Sequence, residues 1–146
     1  MKLDYGSGSQ PKKGFKSSDF CGSPSYDYYI QDYVVLDALD NSCDIIHCRN
    51  VIHHIPEEDL PTLFNEFKRL LKKDGKLIIS EPRKEFHKQN LFLDLLWYRF
   101  LTMNEKIMIP YRYVEYKKYL VDFELVKSYN EYNNEILILQ LKENEL

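Results

Sequence analysis

Two short apolar runs, Asp44–Cys48 and Lys76–Ser80, flank one unbroken helical stripe. Leu60, Leu63, Phe64, Phe67, Leu70 and Leu71 recur at i, i+3, i+4, i+7, i+10 and i+11, which puts all six on one side of an α-helix. Short apolar strands that alternate with such helices are buried on both faces of their sheet, so the pattern predicts an α/β fold. Pro56, Glu57, Glu58 and Asp59 precede the stripe and suit the positive end of a helix. Lys72 and Lys73 suit its negative end, and Gly75 is expected to terminate it.

The rest of the chain reads around that unit. Lys2–Tyr5 forms a first strand and runs into the breaker-rich loop Gly6–Pro11. Phe15–Asp19 and Tyr26–Ile30 are further candidate strands, and helical patterns cover roughly residues 85–103 and 113–120. Phe123–Ser128 and Glu135–Leu141, separated by Asn130, Asn133 and Asn134, predict an antiparallel hairpin. The second of these runs is apolar on both faces and is expected to lie between two neighbouring strands. With no repeat and no linker, residues 1–146 read as one domain, in which 85–120 is a helical insertion and a candidate lid.

Composition narrows the class. A hydrophobic fraction of 44% with 12 Tyr and 8 Phe can fill a core, which excludes intrinsic disorder as the main state. The net charge of −3 argues against a general nucleic-acid coat. The most apolar run, 91–103, is too short to span a bilayer and carries Asp94 and Arg99; no membrane association is expected. Nothing after Met1 resembles a leader. Three cysteines without a CxxC pair point to a reducing, cytoplasmic setting.

Gly6 and Gly8 follow the first strand, where glycine lets the backbone turn sharply and approach a ligand closely. Asp19 closes the next strand, a place from which a carboxylate can accept hydrogen bonds from ribose hydroxyls. A dinucleotide fingerprint would need a third glycine where Pro11 stands. The segments Asp40–Ile46, Asn50–Pro56 and Phe67–Ile79 with Glu81 follow in order. In that sequence the chain closely resembles the class I S-adenosylmethionine-dependent methyltransferases, in a subgroup with a short first crossover.

The resemblance implies a Rossmann-like fold: a mostly parallel sheet of the seven-stranded type, a C-terminal antiparallel hairpin, and helices on both faces. It implies S-adenosylmethionine as cofactor and S-adenosylhomocysteine as product. By similarity, Asp4, Gly6 and Gly8 lie against the methionine and ribose, Asp19 takes the ribose hydroxyls, and Phe20 lies beside the adenine. Asp32 accepts the adenine amino group, the Tyr33 amide serves the ring, and Cys48 and Arg49 contact the methionine portion mainly through backbone. Each residue also has a plainer role open to it: Asp19 and Asp32 as turn residues, Phe20 and Tyr33 as core, Cys48 as a small packed side chain.

His47 and Cys48 point to opposite sides of a strand, and His53 and His54 are expected to diverge, so no metal site is expected. His53 and His54 are the candidates for a general base, against a structural role. The expected activity is methyl transfer to a small-molecule acceptor. Two alternatives stand beside it: a tRNA-modifying methyltransferase, and a non-catalytic subunit supporting a partner. A homodimer or partner subunit would suit the wide apolar surface of residues 91–103.

Overall fold

The stripe from Leu60 folds as α1 (Leu60–Leu70), with Leu60, Leu63, Phe67 and Leu70 fully buried. The computed structural model describes residues 1–19, 26–31, 34–87 and 113–143. Around α1 these residues form β1 (Lys2–Tyr5), β2 (Lys16–Asp19), β3 (Tyr28–Gln31), β4 (Val35–Leu36), β5 (Cys43–Arg49), β6 (Leu71–Pro82), α2 (Lys84–His87), β7 (Phe123–Glu131) and β8 (Asn134–Leu141). The eight strands make one sheet in the order β4-β3-β2-β1-β5-β6-β8-β7.

The pairs β1–β2, β2–β3, β1–β5 and β5–β6 are parallel, while β6–β8 and β7–β8 are antiparallel. This is the mostly parallel sheet with a C-terminal hairpin that the sequence predicts. The hairpin's second strand, β8, lies between β6 and β7 as expected. The eighth strand is β4, two residues paired antiparallel to β3, which no periodicity announced.

Two local expectations need correction, and a third falls outside the described residues. The helix ends at Leu70, and Leu71 is already extended and opens β6, so Gly75 does not terminate it. Gly75 is needed for close approach: a Cβ there would lie 2.9 Å from the Lys72 carbonyl oxygen and 3.0 Å from that of Cys43. The helical pattern at 113–120 is a single 3₁₀ turn, Tyr116–Tyr119. The long helical pattern and the candidate lid fall mostly on 88–112, outside the described residues.

Alternation along the strands gives the sheet two faces. Leu3, Tyr5, Ile46, Cys48, Leu77 and Ile79 point to the face that α1 covers, and all are buried. The Tyr5 and Phe67 rings meet edge to face at 4.9 Å, which locks α1 over β1. Helices were expected on both faces, and α1 lies on this one. Glu66, buried on α1, accepts from the Leu36 amide and from Arg69, and Arg69 donates to the carbonyls of Leu36 and Ala38. That cluster ties the β4 edge to the helix and satisfies its own buried charge.

Candidate functional site

The chain runs outward from β1 to β2 and β3, then returns to the other side of β1 with β5 and β6. The strand order therefore reverses between β1 and β5, and in open α/β sheets the crevice beyond the strand ends at such a point is where ligands bind. The loop after β1 and the turn after β5 meet there. Gly6, at φ +71°, passes so close to Val51 that a Cβ would lie 2.4 Å from Val51 Cγ2. Gly8, at φ +58°, faces open space instead: nothing lies within 4 Å of where a Cβ would stand.

The loop is fastened by two carboxylates at adjacent strand ends. Asp19 accepts the Gly8 amide at 2.7 Å, and Asp4 accepts the Lys12 amide at 2.8 Å. Ser7 and Ser18 lock the base of the loop: the Ser7 amide donates to the Ser18 carbonyl, and both hydroxyls donate to the Asp4 carbonyl. Tyr26 donates its hydroxyl to the Gly8 carbonyl. The loop is thus rigid before any ligand arrives, which lowers the entropy lost on binding.

Asp4 has a further partner that the sequence did not suggest. His47 Nδ1 lies 2.9 Å from its Oδ1, and both side chains are buried. Burial pushes the Asp4 carboxyl up, but hydrogen bonds from His47 and the Lys12 amide outweigh it and hold the group below the usual carboxylate value. Strand parity is the signal that could have found this pair, since Asp4 and His47 are cross-strand partners on the face opposite α1.

Beyond β5 the chain turns sharply at Asn50, which adopts φ +55°. Its side chain accepts from Asn134 at the start of β8, and Asn134 also donates to Ser80. Glu81, 4% exposed at the end of β6, holds the rest of the turn. Its Oε1 accepts the amides of Val51 and Ile52, both at 2.8 Å, and its Oε2 lies 2.6 Å from His53 Nδ1. The hydrogen bond between them fixes the orientation of the His53 ring. The His53 and His54 rings do not diverge as expected; their centroids are 4.1 Å apart, because the 3₁₀ turn Ile52–His54 rotates successive side chains less than a strand does.

Of the residues singled out in the sequence, Asp4, Gly6, Gly8 and Asp19 come together in one loop cluster. Cys48 and Arg49 stand at the end of β5, with Cys48 paired to Tyr5 of β1. Burial, with Glu81 and Asp4 nearby, pushes the Cys48 thiol well above its usual range, so it packs rather than reacts. His53 and His54 lie in the turn beside Glu81. Phe20, Asp32 and Tyr33 lie outside the described residues. Besides the His47–Asp4 pair, sequence reasoning missed the anchoring role of Glu81, and Tyr116, whose hydroxyl is buried with no hydrogen-bond partner among the described residues. Burial and the neighbouring Glu81 and Glu135 raise the Tyr116 phenol far above its usual pKa.

A family model described as a methyltransferase domain matches residues 4–123. No match is found among curated proteins. Solved structures share the fold. The PH0226 protein from Pyrococcus horikoshii is 15% identical with a TM-score of 0.65, over 97% of this chain and 81% of that one. A SAM-dependent methyltransferase from Aquifex aeolicus is 14% identical with a TM-score of 0.60, over 97% and 81%. A chain from the complex between the Haloferax volcanii Trm112 methyltransferase activator and a methyltransferase is 12% identical with a TM-score of 0.63, over 99% and 83%.

Proposed function

The chain belongs to the S-adenosylmethionine-dependent methyltransferases, and from that membership we propose that it methylates a small-molecule acceptor at the crevice between β1 and β5. The observation that carries this reading is the loop cluster: two buried carboxylates at adjacent strand ends, Asp4 and Asp19, both fastened to amides of the glycine loop. The open space at Gly8 fits a cofactor that must lie against bare backbone.

In this reading Asp19 accepts the ribose hydroxyls, while Asp4, Gly6 and Gly8 border the methionine and ribose. Backbone groups of Cys48 and Arg49 border the methionine end. Phe20, Asp32 and the Tyr33 amide serve the adenine. S-adenosylmethionine supplies a methyl group on a sulfonium, which leaves as a neutral thioether and needs no acid. The protein's work is then alignment and exclusion of water. Where the acceptor must lose a proton, His53 and His54 are the candidate bases, and Glu81 holds the His53 ring in the turn. The likeness to a chain found with the Trm112 activator supports the further reading that a partner subunit joins this domain.

Calorimetry with S-adenosylhomocysteine tests the site. The wild type should bind, and Asp19→Ala should weaken binding about ten- to a hundredfold, the loss of charge-assisted bonds worth roughly 1.5–3 kcal/mol. An unchanged dissociation constant would overturn the assignment. Methylated product from a screen of small acceptors, rather than from tRNA, identifies the substrate class.

A further inference from the structure

The face of the sheet opposite α1 is chemically unlike the one it covers. Ile78 and Ile138 pair across β6 and β8, and Ile45 sits diagonally beside them on β5. All three are half-buried, whereas Ile46, Leu77 and Leu139 on the other face are fully or almost fully buried. A sheet normally buries such a row under another layer.

Lysines surround this apolar centre. Lys2 and Lys76 flank Ile45 in one row of the sheet, and Lys127 pairs with Ile138 in the next. Lys12 and Lys2 reach over the ring of Phe15 at 5.5 and 6.0 Å, and that ring rests against His47 on the same face. All four lysines are exposed, and among the described residues none of them forms an ion pair with a carboxylate. Elsewhere Lys68 pairs with Asp122, Lys72 with Asp44, Lys117 with Glu135 and Lys118 with Glu57, while Lys142 donates to the Val121 carbonyl. Asp4, in the row of Ile78 and Ile138, is engaged by His47 and the Lys12 amide, and Glu124 closes the row of Lys2 and Lys76 at the β7 edge. In a chain of net charge −3, the described residues of this face set four lysines against two carboxylates, Asp4 and Glu124, around half-buried isoleucine.

A molecule that covers it must bring apolar side chains to the isoleucines and carboxylates to the lysines. A phosphate backbone would answer only the charge and leave the apolar centre unmatched. We propose that this face docks an acidic amphipathic helix of a partner polypeptide, its apolar stripe on Ile45, Ile78 and Ile138 and its Asp and Glu side chains on Lys2, Lys76 and Lys127. The proposal goes beyond the methyl-transfer reading and uses none of the residues placed at the crevice.

The probe is a labelled helical peptide of about four turns, with a leucine stripe flanked by glutamates, read by fluorescence anisotropy. An isomer with lysine in place of glutamate and a short single-stranded RNA run beside it. The acidic peptide should bind, weaken steeply with salt, and lose at least about tenfold in affinity to the Lys76→Glu/Lys127→Glu variant. That variant should bind S-adenosylhomocysteine as the wild type does, which shows that it is folded. Ile78→Ser should weaken the peptide as well, since the apolar half of the contact is then lost. Equal binding of the basic isomer, an unchanged affinity in the double variant, or tighter binding of the RNA would overturn the proposal. So would self-association that the double variant abolishes while the peptide fails to bind.

Discussion

Gly6→Ala perturbs the contact on which the two halves of the crevice meet. The new Cβ would stand 2.4 Å from Val51 Cγ2 and 3.3 Å from Cγ1, against an ordinary carbon contact of about 3.5–4 Å. Overpacking of this kind costs about 1–3 kcal/mol, and holding an L-residue at φ +71° adds roughly 1–2 kcal/mol. The expected loss is thus about 2–5 kcal/mol in urea unfolding. Val51→Ala removes both Cγ atoms and with them the clash, but leaves the φ strain. The double variant should therefore be more stable than the sum of the single losses by about 1–3 kcal/mol. Gly8→Ala is the control: with open space around it, it meets only the φ strain, yet it should weaken S-adenosylhomocysteine binding. Strict additivity of Gly6→Ala and Val51→Ala, within about 0.5 kcal/mol, would refute the reasoning.

Other outcomes follow from single contacts. Glu81→Ala leaves the buried Ile52 amide, the part-buried Val51 amide and His53 without their shared acceptor, so it should cost about 3–5 kcal/mol by chemical denaturation; a loss under about 1 kcal/mol would show that the turn stands without it. Tyr116→Phe removes an unpaired buried hydroxyl and should raise the melting temperature, whereas a lower one would reveal a bond that the hydroxyl makes in solution. The folded pKa of Asp4 lies below its ordinary 3.8, so its contribution to stability is complete above that value and is lost as pH falls through the folded pKa. Asp4→Asn should flatten the fall in stability below pH 3.8 relative to wild type, and parallel profiles would count against the His47 pairing.

Periodicity carried the fold a long way. The α1 stripe, the apolar runs of β5 and β6 and the hairpin of β7 and β8 all write their burial directly into residue spacing, because each is fixed by which side chains must leave water. The glycine loop and Asp19 were legible for a related reason: positive φ and a strand-end carboxylate leave a signature in residue type. What the spacing could not carry is anything that depends on two distant segments arriving together. Gly75 looked like a helix stop but answers the approach of Cys43, 32 positions away in sequence. Glu81 looked like the end of a strand but holds the turn of β5, and His47 shows its tie to Asp4 only once β1 and β5 are paired in register. Such pairings are chosen by sheet order and the burial of polar groups, which exist only in the folded chain. The same holds for the unlike faces of the sheet: each lysine reads alone as a solvated charge, and only the strand order gathers Lys2, Lys76 and Lys127 around three isoleucines.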